Sequence, residues 1–166
     1  TFMFGRFMPT EGKFFEYFNQ HADCAVTAAH ELEALVNDLP NAGNDTILTN
    51  FAGNFSVPVW MLLANDTDAD GQALNVTAVT DNQTQFAVAL AAGMVNVTRT
   101  TTADRQFTYT VSDGAATDTA NVSVEIDATP TNGGNGAEIL LGDAAGTVFN
   151  GNGGNDIIMA GGGNDT

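Results

Sequence analysis

The chain has 166 residues, enough for one or two small domains, and carries 20 acidic against 4 basic residues, a formal net charge of -16. The last basic residue is Arg105, so nothing beyond it can neutralise a phosphate; nucleic acid and anionic membrane surfaces are excluded as partners, and cations are favoured. No stretch approaches the ~18 apolar residues that cross a bilayer, Cys24 alone cannot form an intrachain disulfide, and charged residues break up any signal-peptide pattern at the N-terminus.

From the start to about residue 40 the apolar residues Phe14, Phe18, Ala22, Ala25, Ala29, Leu32 and Val36 recur at steps of three or four, which predicts one amphipathic helix. Thr10 is placed to cap it and Leu39-Pro40-Asn41 to end it. His21 and His30 lie nine positions apart, about two and a half turns, so their rings face opposite sides and cannot share a metal. Cys24 reads as a small packing residue. The strings Met3-Phe4-Gly5-Arg6, Pro9, Phe14-Phe15, Phe18 and His21 to Asn41 resemble the first helix of the PhoU-like family of phosphate-transport regulators. The acidic metal motifs of that family fall on helices not present here, so no site carries over. The likeness stops abruptly near Asn41, as in a chimera.

Residues 42–127 change to period two. Leu74-Val76-Ala78, Phe107-Tyr109-Val111 and Val122-Val124-Ile126 alternate with polar residues, the pattern of half-buried antiparallel strands. Further strands are expected at Thr46 to Thr49, Val57 to Leu63, Phe86 to Leu90 and Val95 to Arg99. Ser112-Asp113-Gly114 begins a hairpin turn. About seven short strands suggest a β-sandwich. Leu63-Ala64-Asn65-Asp66-Thr67-Asp68-Ala69-Asp70-Gly71 and Phe107 to Gly114 resemble the two most recognisable strings of bacterial cadherin-like, immunoglobulin-type repeats. That resemblance implies a spacer or adhesive module without a catalytic centre. Asp66, Asp68 and Asp70 ahead of Gly71 also make a D-x-D-x-D-G loop, in which alternating carboxylates can converge on a hard cation such as calcium. It is not an EF-hand, because Thr77 stands where that loop carries its bidentate glutamate.

A short linker, 128–132, leads into residues 133–166, where the pattern Gly-Gly-x-Gly-x-Asp-x-U-x (U a large apolar residue) fits four successive units starting at Gly133, Gly142, Gly151 and Ala160. The sixth positions are Glu138, Thr147, Asp156 and Asp165; the eighth are Leu140, Phe149 and Ile158. The physical expectation is a glycine-rich turn plus a short strand per unit, coiled into a parallel β-roll with the eighth residue inward. Carboxylates and turn carbonyls would then bind calcium between units two apart, pairing Glu138 with Asp156 and Thr147 with Asp165. The expected ligands are Glu138, Asp156 and Asp165, with Asp143 nearby, and Gly151, Gly153 and Asn155 from the most regular turn. This segment resembles the RTX, or haemolysin-type, calcium-binding family.

The expected fold class is therefore mainly β: an N-terminal amphipathic helix, an Ig/cadherin-like antiparallel sandwich, and a parallel β-roll of nonapeptide repeats. The chain stops within a repeat and reads as a piece of a larger protein. The expected function is a calcium-binding structural or adhesive module of a secreted or surface RTX protein, exported without an N-terminal signal peptide as the resemblance implies. Its partners would be calcium ions, and cell-surface or matrix ligands or neighbouring repeats, with no nucleic acid and no membrane insertion. Two alternatives are a phosphate-transport regulator, on the first segment alone, and the non-catalytic part of a secreted hydrolase. No G-x-S-x-G or H-E-x-x-H motif occurs, and the chain reads as no enzyme.

Overall fold

A computed structural model describes residues 11–51, 53–81, 83–126 and 132–166. The Met3-Phe4-Gly5-Arg6 string, Pro9, Thr10 and linker residues 128–131 lie outside them. The chain divides into two units, residues 1–38 and 39–166.

In the first unit, helix α1 spans Glu11–Asn37. It stops short of Pro40, which has no N–H to continue it. Phe14, Phe18 and Leu32 on the expected apolar face are each more than half exposed. Cys24 is exposed as well, so the packing role expected for it is not realised. His30 Nδ1 lies 3.6 Å from Glu33 Oε2 on the helix surface. Among the described residues, no helix is long and apolar enough to cross a membrane.

The second unit runs, in chain order, through β1 (Pro40–Asn41), β2 (Asp45–Thr49), β3 (Phe55–Pro58), the one-turn helix α2 (Val59–Leu62) with a 3-10 turn (Leu63–Asn65), and β4 (Thr67–Asp68). It continues with β5 (Asn75–Thr80), β6 (Phe86–Ala91), β7 (Met94–Arg99), β8 (Arg105–Ser112), β9 (Thr117–Ile126), β10 (Ile139–Leu141) and β11 (Ile157–Met159). One sheet has the order β11-β10-β2-β9-β8-β5; a second has the order β3-β7-β6; β1 and β4 form a short ladder of their own. Alternating residues of the two larger sheets meet in one core. Ile47, Phe107, Tyr109, Val111, Ala120, Val122 and Val124 come from the first sheet, and Phe55, Val57, Phe86, Val95 and Val97 from the second. The Phe86 and Phe107 rings face each other across it, 6.4 Å apart. The expected sandwich is thus present, and β8 and β9 form the expected hairpin, with Ser112 opposite Thr117. Its turn is held by Asp113 Oδ1, which accepts the N–H groups of Ala115 (2.6 Å) and Ala116 (2.7 Å).

Four expectations need correcting. The strand expected at Val57 to Leu63 ends at Pro58, and the chain turns into α2 with Met61 and Leu62 buried. An unbroken apolar run carries no periodicity to separate strand from helix, and Pro58 with φ -59° is already set for a helical start. The sheet is not purely antiparallel, because β2 runs parallel to β9 on one side and to β10 on the other. Pro40 and Asn41, read as the end of the helical segment, instead pair with Asp68 and Thr67. The repeats are not a body apart: β10 and β11 extend the sandwich's larger sheet, and Ile139 and Leu141 belong to its core.

That last point yields a test. Leu141 is fully buried, so Leu141→Ala removes a core side chain and should destabilise the sandwich by about 2–5 kcal/mol, the range for buried Leu→Ala changes. Urea unfolding of the full chain measures this. Unchanged sandwich stability would show the repeats to be an independent tail.

Candidate functional site

Contacts within the repeat segment join residues eighteen apart, a separation of two nonapeptides. Ile139 lies opposite Ile157 and Leu141 opposite Met159 in the parallel β10–β11 pair, and Asn132 bridges Asn150 in the same sense. Backbone bonds fall one residue to either side of that spacing, as slanted bonds of parallel pairing do: Gly133 N–H to Asn150 O (2.7 Å), Gly142 N–H to Met159 O (2.9 Å), Gly153 N–H to Gly134 O (3.0 Å) and Thr166 N–H to Thr147 O (3.0 Å). The turns need glycine for two reasons. Gly154 has φ +113° and its missing Cβ would collide with the Gly136 carbonyl; a Cβ at Gly142 would strike the carbonyl of Ala160.

The sixth-position residues fall in two rows. Asp156 Oδ1 accepts the N–H of Glu138 (3.0 Å), and Asp165 Oδ1 accepts the N–H of Thr147 (3.0 Å). Asp156 Oδ2 lies over Gly151, where a side chain would displace it. Glu138 reaches back to its own turn, with Oε2 accepting from Gly134 N–H (3.1 Å). Asn155 is exposed at the turn, and Gly153 joins the backbone ladder. Asp143 caps the second turn, accepting the Ala145 N–H at 2.8 Å.

The eighth positions are unequal. Leu140 is fully buried, Phe149 half-buried, and Ile158 is 48% exposed. All three residues of β10 are buried, because β10 is flanked by strands on both sides and one of its faces packs on the sandwich core; β11 is the outer strand of the described sheet. Of the three eighth residues, only Leu140 of the first unit is fully buried.

The Asp66 and Asp68 carboxylates accept backbone N–H groups of the sandwich's own loops. Asp66 Oδ1 accepts the Gly43 N–H (2.7 Å), and the carboxylate receives the Tyr109 hydroxyl (2.9 Å). Asp68 Oδ1 accepts from Asp70 N–H (3.1 Å) and Gln72 N–H (2.8 Å), closing the turn before Gly71. Asp70 is exposed. Among the described residues no three or more Asp, Glu, His or Cys side chains stand together in a way that could hold one metal ion, so carbonyl, amide and water oxygens would have to complete any cation site.

Residues not singled out from sequence matter as much. The Asn50 amide, just past β2, donates to Thr147 Oγ1 (3.1 Å), and its oxygen accepts the Asp143 N–H (3.0 Å). It ties the second repeat to the sandwich, and no signal in the sequence announced it. Asp118 Oδ2 accepts the Ala42 N–H (2.9 Å). Asp45, 7% exposed, sits at the inward register of β2 with Ile47 and Thr49; a carboxylate in that register was a readable sign. Burial pushes its pKa up to about 7; the charge of Asp66 adds to this, while Tyr109 and Asn65 oppose it. Burial also raises Asp66, against the opposing Gly43 N–H and Tyr109 hydroxyl. The Tyr109 phenol is driven up by burial and then by the two carboxylates, so it stays protonated and donates.

A pH dependence follows. In chelator, the folded chain holds the Asp45 proton more tightly than the unfolded chain does. The stability it contributes is fully present below about pH 4 and is lost as pH rises toward about 7, by on the order of 4 kcal/mol at most. Asp66 acts in the same sense. Urea midpoints measured across that window should fall as pH rises, and the fall should shrink in Asp45→Asn. A slope equal in parent and variant would refute the assignment.

The family model described as a bacterial Ig domain matches residues 37–125. No curated relative matches the chain. Among solved structures, an endo-fucoidan hydrolase of glycoside hydrolase family 107 aligns at 22% identity and TM-score 0.35, over 66% of this chain and 18% of that one. A titin domain aligns at 14% identity and TM-score 0.26, over 54% of this chain and 95% of that one. The chain thus spans under a fifth of the hydrolase's length. The family match covers more than half of the chain and coincides with the sandwich described above, so the chain belongs to the bacterial Ig domain family.

Proposed function

We propose that this chain is a calcium-stabilised structural module of a large secreted or cell-surface protein, without catalytic activity of its own. The Ig domain serves as spacer and adhesive body, and residues 133–166 form a β-roll of RTX type that takes up calcium between its turns. The observation that carries the reading is the pair of eighteen-residue contacts from Asp156 to the Glu138 N–H and from Asp165 to the Thr147 N–H. In each, a carboxylate accepts the N–H at the end of a glycine-rich turn eighteen residues earlier. Such turns present carbonyl oxygens, and calcium accepts six to eight oxygens in flexible geometry. The chain's charge of -16 supplies the attraction. An apo coil of this kind carries facing carboxylates and entropically costly glycines, so metal binding and folding are coupled.

The test uses the full chain. Calcium, with magnesium as control at fixed ionic strength, should increase far-UV β signal and slow amide exchange at Leu141 and Ile157 in the β10–β11 pair. Calcium held at about a hundred times its Kd should stabilise the ordered state by about 2.7 kcal/mol, and Asp156→Asn should remove most of that gain. Identical exchange with calcium and with chelator would sink the reading.

A further inference from the structure

Where β10 joins β2 there is a cavity of about 120 Å³ between the sandwich and the repeats. Asp45, Asn65 and Met61 form its sandwich wall, and Glu138, Asn155 and Ile157 its repeat wall. Asp45 is 93% buried, from its 7% exposure, yet its Oδ2 has no hydrogen-bond partner among the described residues. A buried carboxylate oxygen left in this way is costly unless a cation or a proton compensates it.

The protein does not supply that cation from its own side chains. Beyond α1 the only basic residues are Arg99 and Arg105. Arg99 donates Nε and Nη2 to the Thr101 carbonyl (2.8 and 2.6 Å), and Arg105 Nη1 donates to the Asp104 carbonyl (2.9 Å). Neither lines the cavity. The nearest charges to Asp45 are acidic, with Asp66 close by. Opposite stands Glu138, whose Oε2 accepts the Gly134 N–H and whose Oε1 lies over the same glycine-rich turn. Two carboxylates and the exposed Asn155 amide supply side-chain oxygens; Asn65 Nδ2 donates to the Asn44 carbonyl (3.0 Å), so Asn65 adds its oxygen only by giving up that bond, and the volume leaves room for an ion with a few waters at roughly 30 Å³ each.

We propose that this cavity is a divalent-cation site, for calcium by its donor set, held between Asp45 on β2 and Glu138 at the head of β10. The ion clamps the first repeat to the Ig domain. Two carboxylates match its charge, and oxygen ligands with a loose, partly hydrated shell suit calcium over magnesium. This site depends on the β2–β10 pairing and takes the Glu138 carboxylate for the clamp, which leaves the between-turn ions to Asp156 and Asp165.

Flow dialysis of calcium against the full chain, the parent compared with Asp45→Asn and Asp156→Asn, tests it. Asp45→Asn should bind one ion fewer, should be no less stable than the parent in chelator, and should lose at least half of the calcium-induced rise in melting temperature. Asn65→Ala, at an exposed position on the sandwich wall, should weaken one ion several-fold and leave the others unchanged; it serves if Asp45→Asn does not fold. An unchanged ion count and affinity in these variants, with Asp156→Asn still losing an ion, would overturn the clamp while sparing the between-turn sites, and Asp45 would then be a buried carboxylic acid holding its proton. Absence of any calcium binding by the parent would overturn both.

Discussion

The position of β2 is the constraint on which the rest of the second unit depends. Five residues, Asp45–Thr49, pair in parallel with β9 on one side and with β10 on the other. A strand flanked on both sides must bury both neighbours' seams, and Ile47 and Thr49 are accordingly inaccessible to solvent. Its first partner closes the sandwich. Its second would otherwise be an open edge, a row of unpaired N–H and C=O groups that invites association. The repeat segment covers that edge, so the Ig domain and the repeats form one hydrogen-bonded sheet across the junction.

The departures of the repeats from their ideal pattern follow from that junction. Thr147 occupies a position where a carboxylate was expected. It is 7% exposed and bonded to the Asn50 amide, so its side chain faces the sandwich, where a carboxylate would be desolvated without a partner. The Ile-Leu-Leu run of β10 is apolar at every position because both of its faces are covered, whereas in β11 the middle residue is half exposed. A simple roll would alternate. β10 does not, since it is an inner strand of the sandwich's larger sheet.

A buried acidic hub fixes the opposite end of the same region. Tyr109 reaches from the core side of β8 to Asp66, which also holds the Gly43 N–H, and Asp118 holds the neighbouring Ala42 N–H. These contacts pin the segment between β1 and β2. Asp66 thereby acts as a structural acceptor, even though the D-x-D-x-D-G pattern by itself resembles a cation loop.

What the sequence determined was local and periodic. Period two in Phe107-Tyr109-Val111 and Val122-Val124-Ile126 specified the hairpin, because a strand alternates faces with every residue. The nine-residue spacing pointed to contacts between residues eighteen apart, and Ile139 with Ile157 and Glu138 with Asp156 are such contacts. What only the tertiary structure decided was pairing between distant segments: that β2 runs parallel to both neighbours, that Val59 to Leu62 turns into a helix whose first N–H meets the Gly93 carbonyl, and that Asn50 and Tyr109 acquire partners tens of residues away. Strand periodicity says which face a side chain takes, but it carries no information about which edge a strand will join. That choice is made by the shape and hydrogen-bonding needs of the assembled core.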